Sequence, residues 1–141
     1  MADSDADQEL ADRYRFYLGL CGSAELDRLD EVVAPELLVE GVPTTRAAYV
    51  AQIAAVLAAF PDYRWQVRHL VVNRPLLAAH LVGRGTHTGT PWLGRPAAGA
   101  TVTIPEHAVY SWSGGLVREV WSTTDRLDTL HQLGGQVHRG S

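Results

Sequence analysis

Lysine is missing from the 141 residues, and all twelve basic side chains are arginine. Schiff-base aldolases, pyridoxal-phosphate enzymes and Walker-type phosphate sites each need an ammonium group. A guanidinium neither forms an imine nor gives up a proton in its place, so composition excludes those chemistries. Cysteine is scarce as well: Cys21 stands alone, which leaves no intramolecular disulfide and no thiolate metal cluster, and the fold must stand on its core. No apolar run approaches the roughly 18 residues of a membrane span, the longest (47–60) being interrupted by Gln52. Positive charge is not in excess either. A formal net charge of -4 supplies no field for a polyanion, so neither nucleic acid nor an anionic membrane surface is expected as a partner. The acidic opening MADSDADQE lacks the positive start and apolar stretch of a secretion signal, which makes the cytoplasm the expected location.

What remains is an ordinary globular chain, 46% hydrophobic and 20% charged, of the size of one domain. We read residues 1–141 as that single domain, with loose tails over about 1–7 and 135–141. Leu10, Tyr14, Tyr17 and Leu18 recur at helical spacing and predict a helix over 8–20, ended by Gly22. Ser23 then caps a short second helix through Leu26, Leu29 and Val33, which Pro35 separates from a small strand over 37–41. A third helix follows Thr44 or Thr45 and runs to Pro61 with a broad apolar face.

From Tyr63 onward the pattern becomes β-rich. Strands are predicted over 63–72, 77–90, 100–113 and 116–123, with turns at Asn73-Arg74-Pro75, within 94–99 and at Gly114-Gly115. Two of them are long enough that an antiparallel sheet must twist or bend. A closing helix over 126–133 ends at Gly134. Helices gathered against a long curved antiparallel sheet imply an α+β cone with a pocket inside.

This plan and four segments resemble the SnoaL-like polyketide cyclases of the nuclear transport factor 2-like superfamily. The segments are APELLVEG (34–41), AAFPDYRWQVRHLVV (58–72), GRGTHTGTPWLGRPAAG (83–99) and REVWSTTDRLDTLHQLG (118–134). The last contains the run W-x-x-x-D-x-x-x-L-x-x-Q-L-G and is the most specific. The resemblance implies a cone-shaped α+β barrel and ring closure on a polyketide-type intermediate in antibiotic or other secondary metabolism. A two-fold homodimer is expected from the outer face of the sheet. A carbon acid flanked by carbonyls is acidic enough that one carboxylate and one hydrogen-bond donor suffice, so no cofactor and no metal are expected. Pyran-forming, cycloaddition or epoxide-opening closures on the same scaffold are alternatives. So is a non-catalytic, dimeric small-molecule-binding module.

Asp125 is the first candidate acid/base. It lies four residues after Trp121, and in an unbroken strand 121, 123 and 125 share one face. A carboxylate beside an indole loses water and its pKa rises. In the family this chain resembles, the Asp of that motif is the catalytic acid/base. The competing reading makes Asp125 the N-cap of the last helix.

His107 is the candidate partner, with its neighbour Glu106 necessarily on the opposite face as substitute; His87 is ambiguous in the same way. Trp121, Trp92, Trp65 and Tyr17 are candidates for the wall around a flat hydrophobic substrate, and Glu40 for its rim. The six histidines are scattered over 69, 80, 87, 107, 131 and 138 without metal-ligand spacing. Alternating Val and Leu on 63–72 and 100–113 mark the outer sheet face as the dimer contact.

Overall fold

The first helix, α1 (Ala2–Gly22), starts well before its apolar spacing indicates. Asp3 and Asp5 sit in its first turn, where the helix dipole favours negative charge. Arg74 pairs with Asp3 at 3.4 Å and Asp7 at 2.8 Å, so the acidic lead read as a tail is helix. The computed structural model describes residues 2–134; the tail expected over 135–141 lies outside them. The buried stripe of α1 is Tyr14, Tyr17, Leu20 and Cys21, spaced by three and four.

The expected second helix is only a 3-10 turn, Leu26–Glu31, which buries Leu29. Strand β1 (Val33–Val39) runs straight through Pro35. That is possible because its pairing with β6 skips from Val33 to Leu38, leaving the missing proline N–H out of the ladder. Glu40 and Gly41 then turn with φ of 52° and 77°, and β2 (Val42–Thr45) pairs back on β1. Both turn residues being left-handed gives the hairpin type that matches strand twist. Helix α2 (Arg46–Ala59) is capped by Thr45 Oγ1, which accepts from Ala48 N–H at 3.2 Å.

Strands β3 (Arg64–Asn73), β4 (Leu76–Thr86), β5 (Thr101–Ser113) and β6 (Leu116–Thr124) form an antiparallel meander, followed by α3 (Arg126–Gln132). The sheet order is β2-β1-β6-β5-β4-β3. Because β1 runs parallel to β6, the sheet is mixed and not wholly antiparallel as expected. It is open, with β2 and β3 at its two edges, and it curls around α1 and α2 as an α+β cone.

Two clusters fill the interior. One joins Tyr14, Tyr17, Leu29, Leu77, Leu81 and Trp112; the other joins Phe60, Tyr63, Val102, Ile104 and Leu133. Gly83 is required where they meet, since a Cβ there would lie 1.7 Å from the Tyr63 hydroxyl.

Strand phase decides what faces inward. On β5 the inward series is Val102, Ile104, Glu106, Ala108, Tyr110 and Trp112, so His107 points out. On β6 a bulge intervenes: Val117 pairs with Trp112, but Glu119 pairs with Ser111. The extra residue reverses the phase beyond it. Val120, Ser122 and Thr124 therefore face inward beside Tyr110, Ala108 and Glu106. Trp121 is sent to the outer face opposite Val109, and it is 36% exposed.

The outer face carries two cross-strand rows. Val71, Ala78, Val109 and Trp121 form one; His69, His80 and His107 form the next. The rings of His69 and His80 lie 8° from parallel with centroids 5.3 Å apart, and their Nδ1 atoms are 3.0 Å apart. They meet edge to edge through one N–H···N bond. The His107 ring lies 4.9 Å from that of His80.

Candidate active site

The concave sheet face, α1 and α2 enclose a cavity of about 670 Å³. A smaller pocket of about 140 Å³ adjoins it under Trp92, sharing Val56, Trp65, Glu106, Thr124 and Arg126 as lining. The combined space has the dimensions of sites that hold small organic molecules. A shallower groove over β1 and β2, lined by Glu36, Pro43, Thr44 and Arg118, is open to solvent.

Glu106 is the acidic group inside. It is placed by β5 in a series of otherwise apolar inward positions, and it lines both spaces. Burial raises its carboxyl pKa above the ordinary carboxylate range, partly offset by hydrogen bonds from Ser122 and Trp65. Ser122 Oγ donates to Glu106 Oε2 at 2.8 Å. Ser122 N–H donates to Glu40 Oε1 at 2.6 Å, which holds Glu40 at the rim. A carboxyl with a raised pKa, facing an apolar cavity, is a better proton acceptor than an ordinary carboxylate and can return the proton it takes up.

Phenols form another part of the lining. Tyr17 from α1 and Tyr49 from α2 place their hydroxyl oxygens 2.5 Å apart. Tyr14 donates to the hydroxyl of Tyr110 at 3.3 Å. Tyr17, Tyr49 and Tyr110 line the cavity and are buried to within 7% exposure or less. Desolvation keeps these hydroxyls protonated by raising their pKa; neighbouring phenols add to it at Tyr17 and Tyr110, whereas at Tyr49 the bond with Tyr17 acts in the opposite direction. The charge of Glu106 acts on Tyr14, Tyr49, Tyr63 and Tyr110, all of which it raises. Cys21 sits beside Tyr17 with its thiol pushed up to about 12 by burial, which makes it inert as a nucleophile.

Of the sequence candidates, Tyr17, Trp65, Trp92 and Glu40 come together at this cavity. Asp125, His107, Trp121 and His87 do not line it. Asp125 is exposed and caps α3, its Oδ1 accepting from Asp128 N–H at 2.9 Å. The bulge in β6 is the reason, because it turns 121 and 125 away from the inner face. His107 is exposed on the outer face for the reason that Glu106 is inside.

His87 is 1% exposed but buried in the loop after β4, bonded through Nε2 to Thr90 O at 2.8 Å and set against the Phe60 ring. It braces the loop that carries Trp92, as do the bonds from Gly89 N–H to Ala59 O and Thr90 N–H to Ala58 O. Tyr49, Ser122 and Thr124 also line the cavity, and no local sequence pattern marks them as site residues. The signal for the last two was weak, since a bulge leaves no mark in a run such as REVWSTT. Among the described residues no group of three or more His, Cys, Asp or Glu could hold a metal ion, and no helix is long and apolar enough to cross a membrane.

Comparison with known proteins places this geometry. The chain is similar in structure to a SnoaL-like polyketide cyclase from Agrobacterium tumefaciens, at 29% identity and a TM-score of 0.78 over 89% of this chain and 98% of that one. It is similar to IdmH from Streptomyces antibioticus, at 25% identity and a TM-score of 0.79 over 89% and 98% of the two chains. TsrD from Streptomyces laurentii shares the fold, with 23% identity, a TM-score of 0.78 and coverage of 92% and 95%. Among curated proteins, none matches. The sequence model of the SnoaL-like polyketide cyclases matches residues 11–133, nearly the whole described chain, and the protein therefore belongs to the SnoaL-like polyketide cyclase family.

Proposed function

We propose that the protein closes a ring on a polyketide-type intermediate by acid/base chemistry, with Glu106 as the acid/base group. The observation that carries this is the Glu106 carboxyl, raised in pKa by burial and facing the 670 Å³ cavity. As carboxylate it takes a proton from a carbon between two carbonyls. The resulting enolate attacks a second carbonyl of the same chain, forming the C–C bond, and Glu106 returns its proton to the alkoxide, so the step is aldol-type and balanced without a redox partner. Trp65 and Trp92 supply flat apolar walls for a hydrophobic substrate. Ser122 fixes the carboxylate in place.

The test uses stabilised poly-β-ketone surrogates, with ring products identified by mass spectrometry and NMR. Wild type should yield a ring pattern distinct from the spontaneous one, and Glu106→Gln should lose it while still binding the surrogate. Ring closure by Glu106→Gln at the wild-type rate overturns the acid/base reading in favour of a pyran-forming or cycloaddition route. Oxygen from labelled water in the product would instead mark epoxide opening. Binding by wild type without any conversion favours a small-molecule-binding module.

A homodimer through the outer sheet face belongs to the same reading. Val71, Leu76 and Trp121 are 62%, 41% and 36% exposed there, beside the row of Ala78 and Val109. Sedimentation at micromolar concentration should give twice the monomer mass, and Trp121→Glu should give the monomer.

A further inference from the structure

We propose that the paired phenols Tyr17 and Tyr49, with Tyr110 beside them, form an oxyanion site that receives the enolate oxygen of a flat carbocyclic ligand. The proposal rests on the reading above and deepens it by naming what the phenolic lining of the cavity recognises. It begins with a count of hydrogens. Each phenol has one O–H hydrogen, and the 2.5 Å contact between Tyr17 and Tyr49 uses one of their two. Whichever hydroxyl donates, the other keeps a hydrogen. Among the described residues no protein oxygen or nitrogen accepts it, and the Cys21 sulfur, which lies within hydrogen-bonding reach of Tyr17, is a weak acceptor. Tyr14 spends its hydrogen on Tyr110, which leaves the Tyr110 hydrogen unspent as well. The inner wall thus holds two donors in surplus.

Surplus donors with raised pKa values remain protonated and aim at oxygen, and the missing partner is an acceptor. A phenol that accepts from a second phenol is polarised by it, so its own free hydrogen bonds more strongly than that of an isolated tyrosine. Held on α1, α2 and β5 away from water, these donors need no reorganisation when negative charge appears on a ligand oxygen. The guanidinium that reaches this space, Arg126, is on an exposed residue at its outer end. A donor set of neutral phenols favours a diffuse oxyanion such as an enolate or phenolate over a carboxylate or phosphate, which arginine forks hold better.

The test measures binding and not turnover, so its result is independent of whether Glu106 is the base. 2-Naphthol and ring-substituted naphthols of graded acidity are titrated into the protein, with naphthalene as the oxygen-free control, following naphtholate fluorescence. Glu106→Gln serves as the background, because it removes a like charge that acts on Tyr49 and Tyr110. The site should raise the ionised fraction of bound naphthol above that in buffer at the same pH. Tyr49→Phe and Tyr17→Phe should each weaken naphtholate binding on the order of tenfold, a charge-assisted hydrogen bond being at stake, and change naphthalene binding less than twofold. Equal losses for naphthol and naphthalene, naphtholate affinity unchanged in both variants, or no gain in ionised fraction would each overturn the proposal. Should one variant fail to fold, Tyr110→Phe carries the same comparison.

Discussion

Ser122 ties together the two acidic side chains of the cavity wall: its hydroxyl donates to Glu106 at 2.8 Å and its backbone N–H to Glu40 at 2.6 Å. The first bond favours the charged carboxylate. Ser122→Ala should therefore raise the Glu106 pKa further and move the acidic limb of the rate profile to higher pH. Glu106→Gln should reduce kcat by about 10²- to 10⁴-fold, the usual worth of a positioned acid/base group. A pH–rate profile of Ser122→Ala superimposable on wild type would contradict this pairing.

Stability should also depend on Glu106. Its pKa is raised in the folded state, so the folded chain binds that proton more tightly than the unfolded chain. The carboxyl is neutral and costs nothing below the ordinary carboxylate range, and the cost appears as pH rises through the folded pKa. Glu106→Gln should melt together with wild type near pH 4 and above it near pH 8. Thermal melts across that range check the sign, and a Gln variant less stable at pH 8 refutes it.

Asp125 separates two roles by substitution. As the cap of α3 it needs only a side-chain acceptor, so Asp125→Asn should retain stability and turnover. Asp125→Ala should cost about 1 kcal/mol in denaturant melts with little change in kcat. Loss of turnover in the Asn variant would assign Asp125 a part in the chemistry.

Gly83 leaves room for Tyr63, and a Cβ would overlap the phenol oxygen. Gly83→Ala should destabilise the chain by roughly 1–3 kcal/mol, the cost of overpacking a well-filled interior. Urea unfolding measures it.

On the outer face, burial first and then His107, His69 and Arg68 lower the pKa of His80. Its ring should titrate below the ordinary histidine midpoint in proton NMR, and His107→Gln should move that midpoint upward. Because the folded pKa is depressed, the contribution of the neutral ring is lost as pH falls through that value.

The sequence by itself determined the family, the α+β class and most of the elements. Period-2 alternation and turn residues such as Gly114-Gly115 act locally and survive into the fold. The sequence put His107 and Glu106 on opposite faces of β5 without deciding between them, with His107 as the candidate; the burial of the series from Val102 to Trp112 decides for Glu106. What tertiary structure alone decided is the phase of β6. Its bulge is set by pairing with β5, not by any residue in REVWSTTD, and one extra residue exchanges every side chain beyond it between faces. That exchange put Ser122 and Thr124 into the cavity and sent Trp121 and Asp125 out of it. The phenol wall likewise arose only when α1, α2 and β5 met, since the bonds Tyr17–Tyr49 and Tyr14–Tyr110 join residues far apart in the chain and require the packed core.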